Sequence, residues 1–182
     1  MYLVLMLGAL CALTLSKPLH VPSVAIKNGT VTGSSSAGVD SFRGIPFAQA
    51  PIRDLRLRPP QPLTSSFVTL AATKAAPACP QYTAASPAKL PLSDEVSSVL
   101  NNATSAFSSL ARELTMPQSE DCLFVDIIRP SVLIPESKLP VVFWIYGGGW
   151  QSGSTAALDG TSIVQRSIEL GEPVIYVAAN YR

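Results

Sequence analysis

The chain has 182 residues, of which 13 are basic and 12 are acidic, so its formal net charge is only +1. A chain of this length fits one domain, and the near balance of charge gives no electrostatic reason to expect nucleic acid or an anionic membrane as a partner. No group of Cys, His and Asp residues has the spacing of a metal site, so we expect neither a metal nor a cofactor. Nothing in the chain implies a partner protein.

The first 15 residues are almost wholly apolar and carry no charge. This run is too short to span a bilayer comfortably and polar residues follow it, so residues 1–16 are predicted to be a signal peptide that is cleaved after Ser16. The basic residues that usually precede such a run are missing, which leaves an uncleaved anchor or a buried helix as the alternative. Residues 17–182 are then the mature part of a secreted protein.

Two features of the mature chain suit an extracellular protein. Asn28 and Asn102 each begin an Asn-x-Thr acceptor sequence for glycosylation. Once Cys11 leaves with the signal peptide, Cys79 and Cys122 remain, and an even number of cysteines in an exported protein favours a disulfide. Two free buried thiols are the alternative.

The N-terminal part of the mature chain is predicted to form three short antiparallel strands. Asn28-Gly29 is a two-residue hairpin signal between the first two of them. The Ser/Gly segment 33–38 is interpreted as a loop, and five prolines make residues 45–62 extended and irregular. The three strands are predicted at residues 24–27, 30–33 and 39–43.

The rest of the chain is predicted to alternate between helices and strands. Apolar residues at steps of three and four predict an amphipathic helix over 93–114 and a short helix over 162–170, which Thr161 or Asp159 would cap. The order of strand, glycine turn, helix and strand predicts a right-handed parallel crossover. Strands are predicted at residues 123–128, 141–146 and 174–179, the last of them without neighbours.

The most informative segment is the apolar run 141–146, which continues directly into Gly147, Gly148 and Gly149. A continuous apolar run is typical of a strand that is covered on both faces. A buried strand that ends in glycines places bare backbone N–H groups at the edge of a sheet, and enzymes build oxyanion holes in this way. The alternative is a simple tight turn.

Five segments, in this order, resemble the type-B carboxylesterases, the α/β-hydrolase family that includes cholinesterases and secreted fungal lipases. The resemblance covers nearly all of the mature chain and is strongest to the fungal lipases. It implies the N-terminal part of an α/β-hydrolase fold, with small antiparallel strands followed by the first strands of the central sheet, and it implies hydrolysis of carboxylic esters or lipids. The segments are FRGIPFAQAP (42–51), DLRLRPPQP (54–62), SEDCLFVDIIRP (119–130), LPVVFWIYGGGW (139–150) and VIYVAANYR (174–182).

The resemblance also implies roles for single residues. Gly148 and Gly149 match the glycines whose N–H groups bind the developing oxyanion, whereas Gly147 is expected to let the backbone bend. Arg56 and Glu120 match a structural ion pair. Two aromatic residues beside the glycines would line the acyl pocket or belong to the core, namely Tyr146 and Trp150.

Cys79 and Cys122 match the family disulfide that closes a long loop at the mouth of the active site. The predicted helix 93–114 lies inside this loop, so it is either a lid that opens at a lipid surface or an ordinary packed helix. The sequence departs from the family at residues 49–53, where Gln-Ala-Pro-Ile-Arg replaces Glu-Pro-Pro-x-Gly, and at Leu57, where an aromatic residue is common.

The nucleophile half of an ester-hydrolysis site is missing from these 182 residues. There is no G-x-S-x-G sequence, and the one histidine, His20, lies beside the predicted cleavage site. Three hypotheses follow from this observation. The chain is a truncated form of a secreted carboxylic ester hydrolase and inactive as it stands, a binding protein on the same fold, or a dead fragment.

Overall fold

The computed structural model describes residues 21–81, 116–134 and 136–182. The predicted signal peptide, Asn102 and the predicted helix 93–114 lie outside the described residues. Within the described ranges, no helix is long and apolar enough to cross a membrane. The elements are β1 (Ser23–Ile26), β2 (Gly29–Thr32), β3 (Ser34–Ser36), β4 (Val39–Pro46), β5 (Thr69–Ala71), β6 (Phe124–Pro130), β7 (Val141–Trp144), α1 (Thr161–Glu169) and β8 (Ile175–Ala179).

The predicted N-terminal hairpin is present. Strands β1 and β2 pair antiparallel with Ile26 opposite Gly29, so the two-residue turn is Lys27-Asn28, one residue earlier than the predicted Asn28-Gly29, and Gly29 begins β2. A Cβ atom on Gly29 would lie 1.8 Å from the carbonyl oxygen of Phe67, which explains why this position needs a glycine. Strand β5 adds parallel to β2 and completes a three-stranded sheet that we did not predict.

The third predicted strand belongs to a different sheet, and the predicted loop 33–38 is wrong. Strand β3 pairs antiparallel with β4, and both lie in a five-stranded sheet of order β3-β4-β6-β8-β7. The physical reason is the turn between them. Ala37 and Gly38 both have positive φ, the combination that makes a tight two-residue hairpin turn.

Strand β8 is internal to this sheet, so the expectation that it has no neighbours is wrong. It pairs antiparallel with β6 and parallel with β7. The parallel pairing of β7 with β8 through α1 agrees with the predicted crossover. Strand β7 lies at one edge of the sheet instead, and Val141 and Phe143 are 58% and 57% exposed, so β7 is not covered on both faces in the described residues.

The two faces of the large sheet carry separate cores. On one face, Val164 of α1 packs with Val39, Ile128, Tyr176 and Ala178. On the other face, residues of β2 and β4 pack with Ala72, which joins the small sheet to the large one. This packing fixes the carboxyl end of β8 beside the segment that follows β7, where the predicted site lies.

Candidate active site

The segment after β7 forms a tight turn, residues 147–152, which we call the glycine turn. The carbonyl oxygen of Gly148 accepts hydrogen bonds from the N–H groups of Gln151 and Ser152 at 3.0 and 3.2 Å. Positive φ angles occur at Gly148 (128°) and Gly149 (62°) but not at Gly147, so the bend that we predicted at Gly147 starts one residue later. A Cβ atom on Gly148 would lie 2.0 Å from the carbonyl oxygen of Ser152.

The N–H groups of Gly148 and Gly149 have no hydrogen-bond acceptor among the described residues, and both glycines are exposed. An oxyanion hole needs backbone donors that are free before the reaction and fixed in direction. The first condition is met at these two positions. The second condition depends on what holds the two ends of the turn.

A pair of stacked tyrosines holds the end at which the chain enters the turn. The rings of Tyr146 and Tyr181 are 4.2 Å apart and inclined by only 14°. The Tyr146 hydroxyl accepts a bond from the Tyr181 N–H at 3.0 Å, and the Tyr181 hydroxyl donates to the Tyr146 carbonyl at 2.8 Å. Because Tyr146 is only 5% exposed, it is a core residue at this position.

Trp150 lies at the tip of the turn and is 85% exposed. Its ring and the Tyr181 ring meet in a T-shaped arrangement at a centroid distance of 5.5 Å. Trp150, Tyr146 and Tyr181 contribute to the lining of a cavity of about 70 Å³. Pockets for small molecules usually measure a few hundred Å³, so this cavity does not form an acyl pocket by itself.

Two amide side chains, which the sequence analysis missed, hold the end at which the chain leaves the turn. The Gln81 Nε2 donates to the Gly153 carbonyl at 2.5 Å, and the Gly153 N–H donates back to Oε1 at 2.8 Å. Asn180 is fully buried, and its Oδ1 accepts the Thr155 N–H at 3.0 Å while its Nδ2 donates to the Pro77 carbonyl. The sequence offers only weak signals for these two roles. Gln81 lies close after a cysteine, and Asn180 lies directly after a buried strand.

Cys79 and Cys122 form a disulfide with an S–S distance of 2.03 Å across a separation of 43 residues. Both cysteines are buried and pack with Ala48 and Leu123. Next to the disulfide, the Ala78 N–H donates to the Pro117 carbonyl at 2.9 Å. The disulfide therefore joins the segment that precedes residue 82 to the segment that follows residue 115.

The predicted ion pair is present at the surface. The Arg56 guanidinium meets the two carboxylate oxygens of Glu120 at 2.5 and 2.7 Å. The hydrogen bond from Arg56 lowers the pKa of Glu120, and the bond to Glu120 raises the pKa of Arg56. The pair ties the segment 54–62 to the segment that precedes Cys122, and it lies away from the glycine turn in sequence.

Asp126 and Asp159 form an acidic cluster beside the segment that follows the turn. We did not predict this cluster from the sequence. Asp126 is buried, and its Oδ1 accepts the Gly44 N–H at 2.8 Å, while Thr155 also donates to its carboxylate. Burial raises the pKa of Asp126, and the bonds from Gly44 and Thr155 and the charge of Arg43 offset only part of that effect. Burial and the nearby carboxylates also raise the pKa of Tyr176 to about 12.

Asp159 belongs to the same cluster and precedes α1. Its Oδ1 accepts bonds from the Thr161 N–H at 3.0 Å and from the Arg43 guanidinium at 2.9 Å. Burial alone would raise the pKa of Asp159, but the bonds from Thr161 and Arg43 outweigh burial and lower the pKa. The predicted cap is wrong: Gly160 occupies the N-cap position without a side-chain cap bond, Thr161 is the first helical residue, and Asp159 binds the Thr161 N–H from one residue before the cap.

The other predicted sites have simpler outcomes. Asn28 lies at the first hairpin turn, and its Nδ2 donates to the Ser65 carbonyl at 3.2 Å. His20 lies outside the described residues. In the parts of the chain that the structure describes, no group of His, Cys, Asp and Glu side chains could hold a metal ion.

The two sheets, the parallel crossover and the glycine turn define the N-terminal part of an α/β-hydrolase fold. An esterase from Aspergillus niger has a similar structure, with a TM-score of 0.65 and 30% sequence identity over 89% of this chain and 26% of that one. A family model described as the carboxylesterase family matches residues 20–182. The chain belongs to the carboxylesterase family.

The chain matches both a lipase and an inactive relative. It is 45% identical to a secreted triacylglycerol lipase of Gibberella zeae over 88% of this chain, and 34% identical to an inactive carboxylesterase-like protein of Byssochlamys spectabilis over 86%. These matches span 26% and 24% of the two relatives. The chain therefore spans about a quarter of the length of these relatives.

Proposed function

We propose that residues 17–182 are the oxyanion-binding, N-terminal part of a secreted carboxylic ester hydrolase that acts through a serine acyl-enzyme. The observation that carries this proposal is the pair of N–H groups at Gly148 and Gly149, which have no acceptor in the part of the chain that the structure describes and lie on a turn that is held at both ends. The substrate class is a carboxylic ester, including lipid esters, and no cofactor is required.

The chemical argument concerns the charge that develops during acyl transfer. When a nucleophile attacks an ester carbonyl, the carbonyl oxygen becomes an oxyanion and needs donors already in place. Gly148 and Gly149 would supply two such donors, each worth about 3 kcal/mol of barrier. Bare glycines suit this task, because no side chain blocks the approach of the substrate to the backbone.

The remaining catalytic groups would lie beyond Arg182 in a longer parent chain. A nucleophilic serine on a strand-to-helix elbow, an acid and a histidine would complete the mechanism. Export is supported by the Cys79–Cys122 disulfide and by the secreted lipase among the relatives. Glycosylation at Asn28 and Asn102 and a lid over residues 93–114 that contacts lipid surfaces remain predictions.

The experiment has two parts. The native transcript is read past the codon for Arg182, and the 182-residue chain and any longer product are assayed with a p-nitrophenyl ester. We expect no hydrolysis above buffer by the 182-residue chain, and hydrolysis that an organophosphate abolishes by a longer product that contains G-x-S-x-G. Organophosphate-sensitive hydrolysis by the 182-residue chain would show that its nucleophile lies within these residues and would contradict the proposal.

A non-catalytic binding protein on the same fold is the second candidate. The observation that favours it is the 34% identity to a relative described as inactive. A longer transcript without an elbow serine would support this candidate. A stop directly after Arg182 would leave the glycines without a catalytic partner and would point to a binding fragment or a dead fragment.

A further inference from the structure

The Gln81 side chain pairs with the backbone of Gly153 as one peptide group pairs with another. Its amide donates one hydrogen bond and accepts one, at 2.5 and 2.8 Å. Gly153 is buried, so its N–H and C=O groups depend on these bonds to avoid an unsatisfied polar group. An uncharged amide is the side-chain group that can both donate and accept here.

The backbone of Gln81 is itself anchored. Gln81 lies two residues after Cys79, which the disulfide joins to Cys122. Its N–H donates to the Gln118 Oε1 at 3.0 Å, and the Ser119 N–H donates to the Ala78 carbonyl at 2.9 Å. The Gln81 amide therefore extends from a segment that a covalent bond and backbone pairing hold in place.

Gly153 lies where the glycine turn closes on itself. A Cβ atom on Gly153 would lie 2.4 Å from the Tyr146 ring and 2.6 Å from the Gly147 carbonyl oxygen, so the two limbs of the turn are in close contact at this residue. The preceding residue, Ser152, donates its N–H to the Gly148 carbonyl. A displacement of Gly153 would therefore be passed to Gly148, whose N–H is one of the proposed oxyanion donors.

We propose that Gln81 is a positioning residue that holds the glycine turn in its oxyanion-binding geometry by fixing Gly153 to the disulfide segment. The inference rests on the proposed function for its catalytic meaning, because it concerns the same pair of donors. The structural part of the proposal, that Gln81 keeps the glycine turn ordered, can be tested without any hydrolytic activity.

Three variants test this role. Gln81→Leu removes both bonds. Gln81→Glu keeps an acceptor for the Gly153 N–H but, when ionised, has no donor for the Gly153 carbonyl and places a charge against it. Gln165→Glu is the matched control, because Gln165 also donates to a backbone carbonyl, that of Ala37, but from α1.

The first measurement is amide hydrogen exchange at Gln151, Ser152 and Gly153 in the 182-residue chain, expressed as a ratio to wild type at each pH. We expect Gln81→Leu to accelerate exchange at Gly153 by roughly thirtyfold, as for the loss of two neutral hydrogen bonds. Gln81→Glu should accelerate exchange at Gln151 and Ser152 at neutral pH and return towards wild type as its carboxyl is protonated, since a protonated carboxyl again donates. A purely space-filling role would not produce this reversal.

The charged side chain among the residues that line the cavity beside Gln81 is Arg182, which lowers the pKa of the introduced carboxyl, whereas burial and the facing Gly153 carbonyl raise it. Ratios near one for Gln81→Leu, or a pH profile of Gln81→Glu that matches Gln165→Glu, would overturn the proposal. If Gln81→Leu fails to fold, the reversal in Gln81→Glu still decides the question.

The second measurement is made on any longer product that hydrolyses the p-nitrophenyl ester. There, Gln81→Leu should lower kcat by about tenfold with little change in KM, because the donors act mainly in the transition state. An unchanged kcat in a hydrolysing product would refute the positioning role. Absence of hydrolysis in every product would contradict the proposed function instead, and the exchange ratios would still report whether Gln81 holds the turn.

Discussion

Replacing Gly148 by alanine should disrupt the glycine turn. The φ angle of 128° is one that residues with a Cβ rarely adopt, and the new Cβ atom would lie 2.0 Å from the Ser152 carbonyl oxygen. Backbone strain of this kind costs about 1–3 kcal/mol. Relief of the contact requires the turn to open, which also breaks the two bonds to the Gly148 carbonyl, each worth about 1 kcal/mol. The local cost is therefore about 3–5 kcal/mol.

The neighbouring glycines provide matched controls for the same change. Gly149→Ala meets no atom within 4 Å, so its cost is the left-handed φ of 62° alone, about 1–2 kcal/mol. Gly147→Ala also meets no atom within 4 Å and has no positive φ, so it should be nearly neutral. The order of severity should be Gly148, then Gly149, then Gly147.

Amide hydrogen exchange at Gln151 and Ser152 measures this order directly, because their N–H groups donate to the Gly148 carbonyl. We expect near-complete loss of protection in Gly148→Ala, partial loss in Gly149→Ala and wild-type exchange in Gly147→Ala. Thermal unfolding should change less than exchange, because the turn is exposed and opens locally. Equal exchange rates in the Gly147 and Gly148 variants would refute the steric argument. Equal loss of protection in the Gly148 and Gly149 variants would show that the φ angle alone determines how much the turn is destabilised.

Three further predictions concern stability. Replacing Cys79 and Cys122 together by serine should lower the free energy of unfolding by roughly 4 kcal/mol, and a peptide mass map of secreted protein with both thiols free would contradict the bridge. The raised pKa of Asp126 means that the native state holds the proton more tightly than the unfolded state does. The free energy of unfolding should therefore fall as pH rises from the ordinary value of 3.8 through the native pKa. Urea unfolding at several pH values should show this decrease in wild type but not in Asp126→Asn. Because the pKa of Glu120 is lowered in the native state, its pairing with Arg56 stabilises the fold above the ordinary carboxyl pKa, and this stabilisation is lost as pH falls through the native pKa. A double-mutant cycle should show a small coupling energy that vanishes at high salt. A large coupling energy that does not depend on salt would be inconsistent with an exposed pair.

Features that depend on a few neighbouring residues were predictable from the sequence. Local chemistry predicts the first hairpin to within one residue, the helix that ends before Gly171 and the position of the glycine turn. The resemblance to the carboxylesterases added the fold and is confirmed by the family match. The pairing of the two cysteines followed from their number and is present in the structure.

Features that depend on pairing between distant segments were not predictable. Residues 39–43 were recognisable as a strand, but the sheet to which the strand belongs was not, because β4 pairs with β6, roughly 80 to 90 residues later. The apolar run of β8 likewise did not predict that this strand lies between β6 and β7. Gln81 and Gly153 are 72 residues apart, so no periodicity links them.

The arrangement around the glycine turn explains how backbone donors can stay free without the turn becoming loose. Unsatisfied backbone groups normally destabilise a structure, and a turn of glycines loses more chain entropy on folding than any other. Here the side chains of Tyr181, Gln81 and Asn180 bind backbone groups of the two limbs, and the Tyr146 hydroxyl in turn binds the Tyr181 backbone. The limbs are therefore ordered by bonds that do not use the N–H groups of Gly148 and Gly149. This separation of the groups that hold the turn from the groups that would bind an oxyanion is what preorganisation requires, and a loss of order at Gly153 with no change at Gly148 would contradict it.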